Sequence, residues 1–175
     1  TCDYNYVFDP RAYLNRFFLD SKGQYTFLID EAHNLVDRAR EMFSAVLYKS
    51  QIAGLKRLVG KSQPDFNKKL DALNKYFTKL GKKVEKEGDG ESWINPQLST
   101  DLMALVHNFL RETEKILPQG SALLYFDELR EFYLQALGFE RISELFDEHY
   151  TTYAEKEGKE VYFRLYCLDP SKNIH

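Results

Sequence analysis

Apolar residues recur at steps of three and four through the middle of this chain and at steps of two near its end. Phe66, Leu70, Leu73, Phe77, Leu80 and Val84 mark one side of a long amphipathic helix opened by Pro64-Asp65, with lysines on its other side. Ile52, Leu55, Leu58 and Val59 predict a shorter helix before it, closed by Gly60. Glu87 to Glu91 reads as a polar loop, with Trp93 in a loop beside Pro96. Pro96 precedes a third helix carrying Leu98, Leu102, Leu105, Phe109, Leu110 and Ile116, which Pro118-Gln119-Gly120 breaks. A fourth is expected from Ala122 to Leu137, ended by Gly138, and a short fifth from Arg141 to Phe146. The period then changes to two. Tyr150–Tyr153 and Val161–Leu168 predict a hairpin around Glu157-Gly158-Lys159.

The first part of the chain reads differently. Thr1 to Asp9 alternates loosely and predicts a short strand. Asp9 and Pro10 then cap and open a helix carrying Ala12, Tyr13, Leu14, Phe17 and Phe18. Ser21 to Gln24 is a turn, and Tyr25 to Ile29 a second strand. Helix is expected from Ala32, with Leu35, Val36, Ala39, Met42, Phe43 and Val46 at helical spacing. The fold class is therefore mainly α with a small β component. A helical insertion of roughly a hundred residues, a plausible domain size, is flanked by strand-like segments. Residues 1–30 and 160–168 are expected to pair in one sheet.

Composition narrows the class. An aromatic share of 15% supplies large side chains for a core. No apolar run approaches the ~20 residues that span a bilayer, and no signal peptide is visible, so a cytoplasmic chain with no membrane partner is expected. Cys2 and Cys167 both fall in predicted strands; a disulfide between them is possible in principle, and buried free thiols are the expected state in a cytosolic chain. The net charge of −3 hides an asymmetry. Ten lysines and arginines between Lys56 and Lys86 face only Asp65, Asp71 and Glu85, while residues 111–160 lean acidic. Such a basic run is either a solvated helix face or a surface for nucleic acid.

The chemistry concentrates at Asp30-Glu31-Ala32-His33-Asn34. A β-prone run ending in two carboxylates is how nucleotide hydrolases bring acids to a metal at a strand end. Asp30 would reach Mg²⁺ through its water shell, and Glu31 would orient or deprotonate the attacking water. Such a pair needs a phosphate-binding loop, Gly-x-x-x-x-Gly-Lys-Ser/Thr, which the chain lacks. Gly54, Gly60, Gly81, Gly88 and Gly90 lie in lysine-rich polar surroundings instead. Half of an ATPase site is present, and the chain is expected to be a piece of a longer protein.

Three segments together resemble the XPD/DinG family of iron–sulfur DNA helicases. Cys2-Asp3-Tyr4-Asn5-Tyr6-Val7-Phe8-Asp9-Pro10 is similar to that family's Tyr-x-Tyr-x-x-Asp-Pro strand and turn. Asp30-Glu31-Ala32-His33-Asn34 resembles its Walker B motif with the following Asn, and Cys167-Leu168-Asp169-Pro170-Ser171 its Leu-Asp-Pro-Ser segment. The helical middle matches in size, position and character. The resemblance implies residues 1–47 as part of a RecA-like α/β motor domain with Walker B, 48–157 as a helical Arch-type domain, and 158–175 as a return strand toward the motor. It implies a parent that moves 5′ to 3′ on single-stranded DNA and separates duplexes with ATP and Mg²⁺ in DNA repair or replication. A [4Fe-4S] cluster of that parent would have its ligands upstream of residue 1. Asp30, Glu31 and His33 take the catalytic roles in it, Asp30 as the Mg²⁺ ligand through water and His33 as the link between nucleotide state and motor. This chain alone is expected to be inactive.

The resemblance makes single-stranded DNA and the remaining helicase domains the expected partners, with a protein partner on the Arch surface also expected of the family. The DNA-contact candidates are Lys68, Lys69, Lys75, Tyr76, Lys79, Lys82, Lys83 and Lys86. Their ammonium groups neutralise phosphates without reading sequence, and Tyr76 or Trp93 offers a ring to unpaired bases. Phe77 falls on the apolar period and is expected in the core. Two other classes stand beside this one. One is a protein-docking module using the acidic helices at Glu128, Glu131, Glu144, Asp147 and Glu148. The other is a metal hydrolase on Asp30, Glu31 and His33, for which His107 and His149 offer no matching spacing.

Overall fold

The three-and-four pattern of residues 64–87 becomes the longest helix of the molecule. The computed structural model describes residues 3, 5–9, 26 and 28–173. Within them, α1 spans Asn5–Phe8, α2 Leu35–Met42, α3 Lys49–Val59, α4 Pro64–Glu87, α5 Thr100–Ile116 and α6 Phe126–Glu144. Short 3-10 turns cover Ala32–Asn34, Leu117–Ala122 and Ser171–Asn173. Strands β1 Ala45–Tyr48, β2 Ser92–Asn95, β3 Tyr150–Glu157 and β4 Glu160–Cys167 form one antiparallel sheet in the order β1-β4-β3-β2. The described chain is thus mainly helical with a small sheet, as the pattern predicts.

Packing follows from the apolar stripes. Every α4 residue of the predicted stripe is buried, with Phe77 and Val84 fully enclosed. Each such side chain contributes about 1.5–3 kcal/mol by leaving water. Leu102, Val106 and Phe109 of α5 and Leu129, Phe132, Phe139 and Ile142 of α6 meet them in the same core. The sheet adds Leu47, Ala154, Val161, Phe163, Leu165 and Cys167 from its inner face. Two glycines fix how α4 meets the sheet. A Cβ on Gly81 would lie 2.9 Å from Val161 Cγ2, so glycine there lets α4 press on β4. A Cβ on Gly88 would lie 1.9 Å from the Ser92 carbonyl oxygen, so no other residue fits the turn from α4 into β2. Ser99 caps α5 by accepting from the Leu102 N–H at 3.3 Å.

The fold departs from the sequence pattern at its short elements. Val46, expected in a helix, lies in β1: α2 stops at Met42, and residues 45–48 pair with Tyr162–Leu165 of β4. The ladder buries Leu47, and the Ser44 hydroxyl accepts from the Cys167 N–H at 3.0 Å. Ser92–Asn95, expected as loop, is the edge strand β2, because it finds Thr152–Glu155 as a partner. The expected fourth and fifth helices are one, α6, since Phe139 and Ile142 continue the buried stripe past Gly138. The third helix starts at Thr100, not at Pro96.

The N-terminal expectations fare worse. Asn5–Phe8 is a helical turn rather than a strand, started by Asp3, whose carboxylate accepts from the Asn5 N–H at 3.0 Å. Thr26, Leu28 and Ile29 belong to no strand, and Leu28 is 96% exposed. The sheet expected between residues 1–30 and 160–168 is absent among the described residues: β4 pairs with β1 and β3. The helix expected from Pro10, the turn at 21–24, Cys2, Tyr25 and Phe27 lie outside the described residues. Cys167 is a buried free thiol, as expected, and burial raises its pKa.

Candidate nucleic-acid interface

The basic surface stands on α4. Lys68, Lys75, Lys79, Lys82 and Lys86 follow one another at steps of seven, four, three and four, which places them on one side of the helix. From Lys68 to Lys86 the row runs roughly 27 Å at 1.5 Å per residue. Some of its charge is already engaged. Lys68 pairs with Asp65 at 2.9 Å and Lys75 with Asp71 at 2.7 Å. Lys56 reaches across from α3 to the same Asp71, and these two lysines hold its carboxyl below the usual range. Lys68 does the same for Asp65. Lys79, Lys82 and Lys86 make no ion pair among the described residues, and their ammonium groups stand in solvent. Lys69 lies on the flank toward Glu112.

Beside this row, α4, β2 and the start of α5 enclose a cleft of about 370 Å³. Lys79, Lys83, Trp93, Asn95, Gln97 and Asp101 are among its walls. The Lys83 ammonium stands 4.1 Å from the centre of the Trp93 ring, and it also reaches Glu87 at 3.5 Å. Tyr76 is half-buried at the back. Its hydroxyl lies 2.8 Å from Ser99 Oγ, and burial raises its pKa. Phe77, one residue on, is in the core as expected. The arrangement offers two ammonium groups, an indole and two amides within one opening. Phosphate oxygens, a base face and base edges are the complementary groups.

Asn95 and Gln97 do not stand out in the sequence. Their one signal is the short apolar pair Trp93-Ile94 between a glycine-rich turn and Pro96. A second unforeseen tie secures the helix: Lys156 of β3 pairs with Glu85 of α4 at 2.8 Å and holds that carboxyl below its ordinary value.

The acidic segment is built quite differently. Asp30 and Glu31 form an exposed turn, with Glu31 in the left-handed region at φ 52°. The Glu31 N–H donates to Asp30 Oδ1 at 2.9 Å. His33 Nε2 lies 3.3 Å from Glu31 Oε2, with both side chains mostly in water. Their ligand atoms do not gather around a common point. Among the described residues the one trio of potential ligand atoms within 4.8 Å of one another is Asp147, Glu148 and His149. Lys172 already answers that trio, 3.6 Å from Asp147 and 3.0 Å from Glu148. His107 sits elsewhere, 3.0 Å from Glu140. Asp30, Glu31 and His33 by themselves therefore do not fit a metal-nucleotide, and Cys167 alone does not fit an iron–sulfur cluster.

The helix that follows the acidic turn nevertheless reaches the segment after β4. Arg40 of α2, just after the acidic turn, donates from Nε to the Leu168 carbonyl at 3.3 Å. The Leu168 N–H in turn donates to the His149 carbonyl at 2.8 Å. The Ser171 N–H donates to Asp169 Oδ1 at 3.0 Å, closing the turn after β4. No helix of the described residues is long and apolar enough to cross a membrane. Compared with protein-family models and with curated proteins, the chain matches none.

Proposed function

We propose that this chain is the helical Arch-type module, with adjoining motor-domain segments, of an ATP-dependent superfamily 2 DNA helicase similar to the XPD/DinG proteins. In this reading the module guides or gates one DNA strand. The observation that carries it is the pairing of β1 with β4. The chain passes into the helices on one strand and returns on its antiparallel neighbour, the form of a module inserted into a host domain. The Arg40 bond to Leu168 ties the segment after Asp-Glu-Ala-His to the Leu-Asp-Pro-Ser segment at that junction. The unpaired lysines of α4 beside the Trp93 cleft suit a single strand without sequence preference.

ATP binding, the iron–sulfur cluster and the second motor domain belong, in this proposal, to the parent protein. The roles that the resemblance gives Asp30, Glu31 and His33 are roles in that motor. Exposed carboxylates with no phosphate cradle give no hydrolysis by this chain alone. A docking reading is favoured by one observation only: Glu128, Glu131 and Glu144 of α6 are exposed and make no ion pair among the described residues. Filter binding to oligo-dT at low and moderate salt separates the two. Retention at low salt that falls steeply as salt rises is expected. No retention at low salt would give the module to protein docking.

A further inference from the structure

The sheet has a second face that the proposed function does not use. Side chains alternate along a strand, so Tyr48 of β1, Tyr162, Arg164 and Tyr166 of β4, and Tyr153 and Glu155 of β3 all point away from the helical core. The inner positions between them, such as Phe163, Leu165 and Ala154, are buried against the helices. The outer rings are half-exposed and contiguous. Tyr48 and Tyr162 are 5.6 Å apart between ring centres, Tyr162 and Tyr153 6.4 Å, and Tyr153 and Tyr166 6.0 Å. The Arg164 guanidinium lies 5.8 Å from the centre of the Tyr153 ring.

We propose that this tyrosine face is a stacking platform for the unpaired bases of a single-stranded nucleic acid. The inference takes the single strand of the proposed function as its ligand. The chemistry of the face selects that occupant. Phenol rings present π-faces that any base can cover, and a guanidinium among them supplies the cation for a phosphodiester. Glu155 accepts from the Tyr162 hydroxyl, and its carboxylate would accept from base amino groups. The bases therefore stack on the rings, and the Arg164 guanidinium beside Tyr153 is left for a phosphodiester. Within the strands the aliphatic side chains of this face are Val46 and Ile94, with Leu168 exposed just past β4 and Leu134 beside Val46. A cleft of about 330 Å³ opens where Arg164 and Val46 meet α6.

The α4 lysines need phosphates, and the tyrosine face needs bases. Fluorescence anisotropy on the whole chain should therefore compare oligo-dT with an abasic oligonucleotide of the same length. The wild type should bind oligo-dT at least tenfold tighter. Tyr153→Ala with Tyr166→Ala should remove about tenfold of the oligo-dT affinity. It should leave abasic binding and the salt slope unchanged, and Tyr153→Phe with Tyr166→Phe should restore wild-type behaviour. Photo-cross-linking of a 5-iodouracil oligonucleotide to the wild type needs no variant and should label Tyr153, Tyr162 or Tyr166. Equal affinity for the two oligonucleotides, or adducts confined to other residues, would overturn the platform. So would alanine variants that bind as wild type yet sediment as a different oligomer, which would make the face a protein interface. Retained oligo-dT binding with no abasic binding at all, lost in the Tyr153→Ala, Tyr166→Ala variant, would support the platform and count against the lysine row alone.

Discussion

Asp30, Glu31 and His33 sit on a turn whose side chains face water, whereas the lysines of α4 stand on a helix whose opposite side holds the core together. Both regions are dense in charge, but only one is pre-organised. The acidic turn borrows its meaning from surroundings that would have to be brought to it: a phosphate cradle, a metal and a packed strand. The lysine row carries its frame with it. Phe77, Leu80 and Val84 anchor the helix from below, Gly81 lets it press on β4, and Lys156 holds Glu85 from the sheet. A surface that binds phosphates through many ammonium groups needs only such a scaffold. A catalytic carboxylate needs its partners placed to within fractions of an ångström.

That contrast can be broken by mutation. The largest difference should appear in stability. Phe77→Ala should cost about 3–5 kcal/mol by emptying the core beneath α4. Asp30→Ala should stay within about 0.5 kcal/mol. Denaturant unfolding of both variants checks this, and an equal loss would mean that the acidic turn is a structural element after all. Gly81→Ala should destabilise by about 1–3 kcal/mol, because the new methyl meets Val161 and outweighs the gain in helix propensity. An unchanged midpoint would show that α4 and β4 have slack between them.

Binding sharpens the contrast next. Replacing Lys79, Lys82 and Lys86 by alanine should lower the log–log salt slope for a single strand by about 2, near 0.7 for each phosphate left without its ammonium partner. Asp30→Ala and Glu31→Gln should leave that slope unchanged. The smallest effect concerns acid. Asp71 and Glu85 have folded pKa values below their ordinary ones because lysines hold them ionised. Their contribution is complete above the unfolded carboxylate values of about 4 and is lost as pH falls through the lower folded values. Melting temperature followed from pH 7 to pH 3 should drop less in Asp71→Asn than in the wild type over the acid end of that range.

The fold was legible where the pattern was long and local. The stripe from Phe66 to Val84 predicted α4, and the alternation at 150–168 predicted the β3–β4 hairpin with Gly158 in its turn. Elements that depend on distant partners were not legible. Ala45–Tyr48 continues the helical spacing of Met42 and Phe43, and only β4, more than a hundred residues on, makes it a strand. Ser92–Asn95 is too short to declare itself without β3. Gly138 reads as a helix end, yet Phe139 and Ile142 have core to fill and carry α6 through it.

The candidate site divides the same way. The lysine row could be read from spacing, because one helix carries it. The cleft beside it could not, because its walls come from α4, β2 and α5. The alternation of Tyr162, Arg164 and Tyr166 was visible, but which face of the sheet the helices would cover was not.

In the proposed function the lysine row and the Trp93 cleft of α4 and β2 receive a single strand. NMR titration of the 15N-labelled 20.6 kDa chain with oligo-dT tests it residue by residue. The backbone signals of Lys79, Lys82 and Lys86 and the indole N–H of Trp93 should move together and saturate with one affinity. Shifts confined to the acidic face of α6, or none at low salt, would contradict it.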